Sequence, residues 1–264
     1  MSKYRLKFVS LMGFVALVLN GCATMSPMSV DAIKSKRVVV SSVAASILNQ
    51  KNVGFTVFGN ESSAHSVAHW GLDADLGERL AEAVRSRGVP VSHVLIGASE
   101  LPRITEPNSI AGVGFDLKGT WGGSSDAFKT IGKKTGAHVL VLLAPSQSGD
   151  YIQMTNQIFR GLGIYTRTFN EKPRFGVAHA FMQVVTIDLI QGTVLNFSPL
   201  TEAPPTAVGA ALQRGQPTIF VDPQLYRTHF DTLTAEQMSE VKSKFSALVR
   251  DSHIRATVER IFTP

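Results

Sequence analysis

An internal disulfide is the first thing this chain cannot have. Its 264 residues include one cysteine, Cys22, and a lone thiol forms no intramolecular bridge. It also lacks an apolar run long enough to cross a bilayer. The uncharged stretch Phe8 to Leu19 ends within a dozen positions, whereas a spanning helix needs roughly 20 apolar residues. Nor is there a basic stripe. The 26 Lys and Arg are scattered against 20 Asp and Glu, for a net charge of +6. Residues 1–21 contain Lys3, Arg5 and Lys7 and no acid, so the rest of the chain carries only +3. Nucleic-acid binding shows a clustered basic footprint, and none is expected here. No repeat recurs at a fixed period, and neither end is an acidic or basic tail.

The motifs of common chemistries are missing as well. Gly132-Lys133-Lys134-Thr135 has the end of a phosphate-loop pattern, but Ala127 stands where its first glycine belongs. Its lysines also fall at a helix end, among carbonyls rather than amides. Gly122-Gly123-Ser124-Ser125-Asp126 is not a Gly-x-Ser-x-Gly elbow, and serine beside aspartate reads as a helix N-cap. His65, His69 and Asp73 are spaced by four, as one helical face of a metal site would be. Gly71 interrupts them, however, and no Glu follows the first histidine, so a solvated loop is the better reading. Neither a metal nor a cofactor is expected.

What is present begins at the N-terminus. Three cations precede an uncharged run, and small Gly21 precedes Cys22, which is the order of a secretory leader. Leu19-Asn20-Gly21-Cys22 resembles the lipobox of bacterial lipoproteins, with Asn20 where that family more often has Ala, Ser, Thr or Val. The resemblance implies cleavage before Cys22, a diacylglycerol on its sulfur and acylation of the new amino terminus. Several buried acyl chains anchor stably where one is marginal. Ala23, in place of Asp, implies transfer to the periplasmic face of the outer membrane. The expected organisation is a signal peptide over 1–21, a lipidated cysteine and tether over 22–36, and one periplasmic domain over 37–264.

Within that domain, Arg37 to Val43 and Val53 to Phe58 read as strands. A helix over Asp73 to Arg87 buries Leu76, Leu80, Ala83 and Val84, with Asp73 as its cap and Gly88 as its left-handed stop. The strand Val89 to Ile96 follows. Gly97 to Gly123 is a long glycine- and proline-containing connection with one short strand, Gly112 to Leu117. A second helix over Ser125 to Thr135 is capped by serine and ends at Gly136. Ala137 to Ala144 is apolar throughout, as a central strand is. Alternating segments follow at Tyr151 to Thr155, Gly163 to Phe169, Gly176 to Leu189 and Thr193 to Phe197, the last two turning at Gln191-Gly192. Pro199 to Pro217 is a second loop. Thr234 and Gln237 form a capping box, Leu233 staples onto Met238, and Val241, Phe245, Leu248 and Val249 form the helix's buried stripe. His253 to Ile261 continues it.

This order predicts an α/β fold, a single-domain sandwich with a mixed sheet, an antiparallel C-terminal meander and a closing C-terminal helix. In layout it is similar to the periplasmic lipoprotein domains of the curli secretion channel and of penicillin-binding-protein activators. Tyr165, Arg167 and His179 fall on neighbouring strands, but Phe175, Val177, Phe181 and Val185 share the His179 face, so a packed, hydrogen-bonded histidine is expected there. Trp70 and Trp121 each sit beside glycine. They are candidate contacts for a partner, or else they close the edge of the core. The functional expectation is a non-enzymatic binding or assembly factor of the cell envelope, with a membrane contact through its lipid and an envelope protein or peptidoglycan-associated complex as partner. An envelope hydrolase and a small-ligand carrier remain as alternatives.

Overall fold

The computed structural model describes residues 27–54, 60–101, 124–149, 157–169, 172–202, 217–223 and 230–263. Met28–Ser29 forms a short strand, β1. A run of three valines opens β2 (Val38–Ser42), in which every residue is buried. The chain then turns into β3 (Ile47–Val53) and returns as β4 (Glu61–Ser66). Helix α1 (Leu72–Arg85) precedes β5 (Val91–His93), and helix α2 (Ser125–Thr135) precedes β6 (Val139–Pro145). The pair β7 (Gln147–Gly149) and β8 (Ile158–Arg160) leads into β9 (Leu162–Phe169), β10 (Lys172–Ala180), β11 (Met182–Asp188) and β12 (Thr193–Pro199). Last come β13 (Thr218–Phe220), helices α3 (Ala235–Leu248) and α4 (Asp251–Ile261), and β14 (Phe262–Thr263).

The long strands form two sheets, ordered β5-β2-β6-β11-β12 and β4-β3-β9-β10-β13. β2 runs on into β3 and β10 into β11, while β6 reaches β9 across the β7–β8 hairpin. Each pair occupies matching places in the two orders, so the sheets are halves of one curled, mixed sheet. Phe181 sits at the crease. Its N–H donates to the Gly161 carbonyl at 2.8 Å, and its own carbonyl accepts from Ser146 N–H at 2.9 Å. Gly161 N–H donates to the Ser146 carbonyl at 2.8 Å, so the β7–β8 hairpin buds from a strand that closes beneath it. Gly161 has φ of +49°, a conformation that L side chains adopt at a cost.

Strand β6 shows why the sheet is covered on both sides. Val139, Val141 and Leu143 face a core shared with α1, α3 and α4, while Leu140, Leu142 and Ala144 face Phe128 and Ile131 of α2. None of these six strand side chains is exposed at all. Burial of each Val or Leu contributes roughly 1.5–3 kcal/mol relative to exposure, which is why the strand reads as an unbroken apolar run. In α1, Leu76, Leu80, Ala83 and Val84 are buried, and Gly88 closes the C-terminus with φ of +82°. In α3 both capping-box bonds form: Gln237 N–H donates to Thr234 Oγ1 at 3.2 Å and Thr234 N–H to Gln237 Oε1 at 2.8 Å.

The chain is thus α/β, with a mixed sheet, an antiparallel C-terminal strand set and a closing C-terminal helix. Several boundaries differ from expectation. Of the segment 22–36, residues 28–36 belong to the domain: β1 pairs in parallel with β14, and Val30 and Ile33 are buried in the core. The second strand spans 47–53 instead of 53–58, with 55–59 outside the described residues. The stretch Gly176 to Leu189 is divided between two sheets at Phe181. The strand after α1 covers only 91–93. Val249 and Arg250 are extended, so the last segment is a helix in its own right. The strands expected at Gly112 to Leu117 and Tyr151 to Thr155 lie outside the described residues.

Candidate functional site

The β9–β10 register places Tyr165 opposite Val177, Arg167 opposite Phe175 and His179 opposite Gly163. Tyr165, Arg167 and His179 therefore do share one face of adjacent strands. That face is aromatic: Phe159 of β8 lies 4.5 Å from the Tyr165 ring and 5.3 Å from the His179 ring, and Phe181 stacks on His179 at 4.7 Å. His179 is buried, and its Nδ1–H donates to the Gly161 carbonyl at 3.1 Å. Burial pulls its pKa down from 6.5 to about 4, only partly offset by the bond to Gly161. The imidazole is therefore neutral near pH 7, sealed from solvent and engaged in holding the crease.

A second group of chemistry-bearing side chains converges where α4 begins. Ser252 Oγ donates to Glu202 Oε1, Arg250 Nη2 lies 2.8 Å from Glu202 Oε2, and His253 Nε2 lies 4.0 Å from Glu202 Oε1. The hydrogen bond from Ser252 holds the Glu202 carboxyl below its usual pKa, with His253 and Arg250 adding to the effect. Serine, histidine and acid are all present, but the wiring is not that of a nucleophile. Ser252 donates directly to the carboxylate, whereas His253 Nδ1 accepts the Arg250 N–H at 3.0 Å to cap α4. A serine activated for attack donates to an imidazole that the acid orients.

Asp73 marks a third cluster. The N-cap of α1 is Gly71, in the left-handed conformation, not Asp73. The Asp73 carboxylate instead reaches to the turn between β2 and β3, accepting Ser42 Oγ–H at 2.6 Å and Ala45 N–H at 3.0 Å. Burial raises its pKa against the lowering effect of those bonds. This places it apart from His65, on β4, and His69, in a short turn before the helix. Among the described residues no group of three or more His, Cys, Asp or Glu is placed to hold a metal ion.

Ser124 occupies the N-cap position of α2, yet its side chain makes no cap hydrogen bond and its Oγ is buried without a partner. The expected capping by serine is therefore one of position only. Lys133 and Lys134 lie in the last turn of α2, where Lys134 pairs with Glu100 at 2.8 Å. Trp70 is 5 % exposed and packs against Phe230 and Phe245, with ring centroids 6.0 and 6.4 Å away. It closes the edge of the core and is not an exposed anchor. Trp121 and Cys22 lie outside the described residues.

Two arginine clamps have no counterpart among the sequence-based expectations. Arg79 of α1 donates through Nε to Asp251 at 2.7 Å and through Nη2 to the Val249 carbonyl, tying α1 to the break between α3 and α4. Arg260 of α4 donates to Ser198 Oγ at 3.2 Å and to the carbonyls of Pro199 and Thr201 at 3.1 and 2.7 Å, pinning the end of β12. Each links residues far apart in the chain, so no local pattern announces it. No family model matches the chain, and no curated protein is found to be similar to it.

Proposed function

We propose that this protein is an outer-membrane lipoprotein, anchored through Cys22 on the periplasmic face, whose α/β domain serves as a non-enzymatic binding or assembly factor in the cell envelope. The observation that carries the reading is the N-terminal order Lys3, Arg5, Lys7, an uncharged run, Gly21 and Cys22, with Ala23 after it. No helix among the described residues is long and apolar enough to cross a membrane. Five residues separate Cys22 from Met28, the start of β1, and six residue steps reach at most about 20 Å. The domain of an anchored chain would therefore ride close to the bilayer, with the β1–β14 pair nearest the anchor.

Support for a non-enzymatic role comes from how the reactive residues are used. His179 is sealed and neutral, His253 caps a helix, and Ser252 donates its hydrogen bond to a carboxylate rather than to an imidazole. The test is a crosslinking pull-down from intact envelopes, with Cys22→Ser as control. Cys22→Ser is expected to leave the outer-membrane fraction, and unchanged fractionation overturns the anchor. An envelope protein recovered with the native chain but not with Cys22→Ser is the expected result for an assembly factor. Recovery of none overturns that role and returns weight to the hydrolase and carrier alternatives.

A further inference from the structure

Among the described residues four strands bound the curled sheet, and three of them are protected against pairing with another chain. β13 is three residues long and lies between Pro217 and Pro223. β5 is equally short and follows Pro90. β12 is longer, but its register with β11 shifts between Thr186 and Ile187, and Arg260 occupies the Pro199 carbonyl. Shortness, proline and bulges are the usual devices by which edges avoid unwanted strand addition. β4 has none of them. Its residues Glu61 to Ser66 pair with β3 in unbroken register, include no Lys, Arg or Pro, and are exposed at every position except half-buried His65.

The ladder also fixes which of its backbone groups face outward. Val67 N–H donates to the Ser46 carbonyl at 2.9 Å, so alternate positions His65, Ser63 and Glu61 turn their backbone groups toward β3. Ser62, Ala64 and Ser66 then present N–H and C=O at an edge that pairs with no other strand among the described residues. We propose that this edge pairs with the same edge of a second copy of the chain, antiparallel about a two-fold axis at Ser63. In that register Ser62 and Ala64 of each copy exchange backbone hydrogen bonds with Ala64 and Ser62 of the other. Ser63 meets its own symmetry mate, and Glu61 lies directly opposite His65 in two equivalent places.

The choice of a second copy rests on that complementarity. Glu61, Ser63 and His65 share one face, where Ser63 Oγ lies 2.9 Å from His65 Nε2. An antiparallel self-pairing centred on Ser63 sets a carboxylate opposite an imidazole, the favourable kind of cross-strand pair. The small side chains of Ser62, Ser63 and Ala64 leave the backbones free to approach. The same patch on both subunits gives a closed pair rather than an open filament. The proposal does not depend on the lipid anchor.

The test uses the purified full-length chain, oxidised and run without reductant. Ser63 and its mate form a non-hydrogen-bonded pair, in which the Cα atoms lie roughly 4.5 Å apart, within the range a disulfide spans. Ser63→Cys is expected to give at least about tenfold more disulfide dimer than Ser62→Cys, whose side chain faces Ala64 of the other copy and is out of reach of its own mate. The unmodified chain, with Cys22 alone, sets the background. Adding Ala64→Pro to Ser63→Cys is expected to abolish the dimer while leaving the unfolding temperature unchanged, because the Ala64 N–H points away from β3. Equal yields from Ser63→Cys and Ser62→Cys, or a dimer that survives Ala64→Pro in a folded chain, overturn the proposal.

Discussion

The carbonyl of Gly161 accepts the Nδ1–H of His179 at 3.1 Å while also accepting the N–H of Phe181 at 2.8 Å. One carbonyl, at the point where the β7–β8 hairpin leaves the sheet, thus receives both the backbone and the imidazole of β10 and its continuation. Because that imidazole is buried between Phe159 and Phe181, it stays neutral in the folded protein to about pH 4. In the unfolded chain it takes up its proton near the ordinary 6.5.

The sign of the resulting pH dependence is definite. The His179 contribution is fully present above about pH 6.5 and is lost as pH falls toward about 4, where the unfolded chain binds a proton that the folded chain refuses. The loss approaches roughly 3 kcal/mol across that interval, since each tenfold difference in proton affinity between the two states is worth about 1.4 kcal/mol. Denaturant midpoints measured from pH 7 to pH 4.5 are expected to fall more steeply for the native chain than for His179→Phe. Parallel curves would show that His179 is not sealed.

Gly163 faces His179 across the β9–β10 ladder. A Cβ at Gly163 would lie 2.6 Å from the His179 ring and 2.7 Å from the Asn49 carbonyl oxygen, both well inside contact distance. Gly163→Ala is expected to destabilise by about 1–3 kcal/mol, the usual range for overpacking, as read by equilibrium denaturation. The Asn49 oxygen belongs to the backbone of β3, so removing the ring in Gly163→Ala/His179→Ala is expected to relieve only part of that loss. An alanine tolerated without change in midpoint would mean that β3 and β9 do not approach as closely as this register requires.

These contacts show what was legible in the sequence and what was not. Val139 to Ala144 could be read as a central strand because burial on both faces leaves a continuous apolar run. The packed state of His179 could be read from its neighbours on the same face, Phe175, Val177 and Phe181. Thr234 and Gln237 form a local device, three residues apart, and both of its bonds are made. β4 could not be read, because an exposed edge strand of Glu, Ser, Ala and His shows no alternation of apolar and polar residues. The crease at Phe181 was invisible since the alternation runs straight through it. The partners of Asp73 lie 28 and 31 residues away in sequence, beyond any local pattern, and Trp70 beside Gly71 fits a loop or a core edge equally well.

Asp73 works in the opposite sense to His179. Burial raises its pKa in the folded protein, so its contribution is present at low pH and is lost as pH rises through the folded value. At neutral pH the charge itself is a burden, while the hydrogen bonds from Ser42 and Ala45 are an asset. Asp73→Ala removes both and leaves a buried hydroxyl and a buried amide without their acceptor, at an expected cost of about 1–3 kcal/mol. Asp73→Asn keeps an acceptor oxygen and loses the charge, so it is expected to cost less. Thermal unfolding at pH 7 that ranks Asn below Ala would contradict this account of the turn between β2 and β3.

Helix α3 supplies the last check on the architecture, since it meets the sheet through a narrow stripe. Val241, Phe245 and Leu248 are buried while most of its other side chains are exposed or half-buried, and Phe245 reaches the Trp70 ring at 6.4 Å. Through Trp70 and Phe230 the helix is coupled to the end of β4, where His65 lies 4.9 Å from Phe230. Phe245→Ala is expected to cost roughly 3–5 kcal/mol, and Val241→Ala somewhat less, because the packed core around them collapses only in part into the cavity each leaves. Denaturant titration followed by far-ultraviolet circular dichroism reads the loss. If α3 were peripheral the midpoint would stay where it is, whereas a docked helix shifts it for the whole domain in a single transition, with the edge at β4 losing its support at the same time.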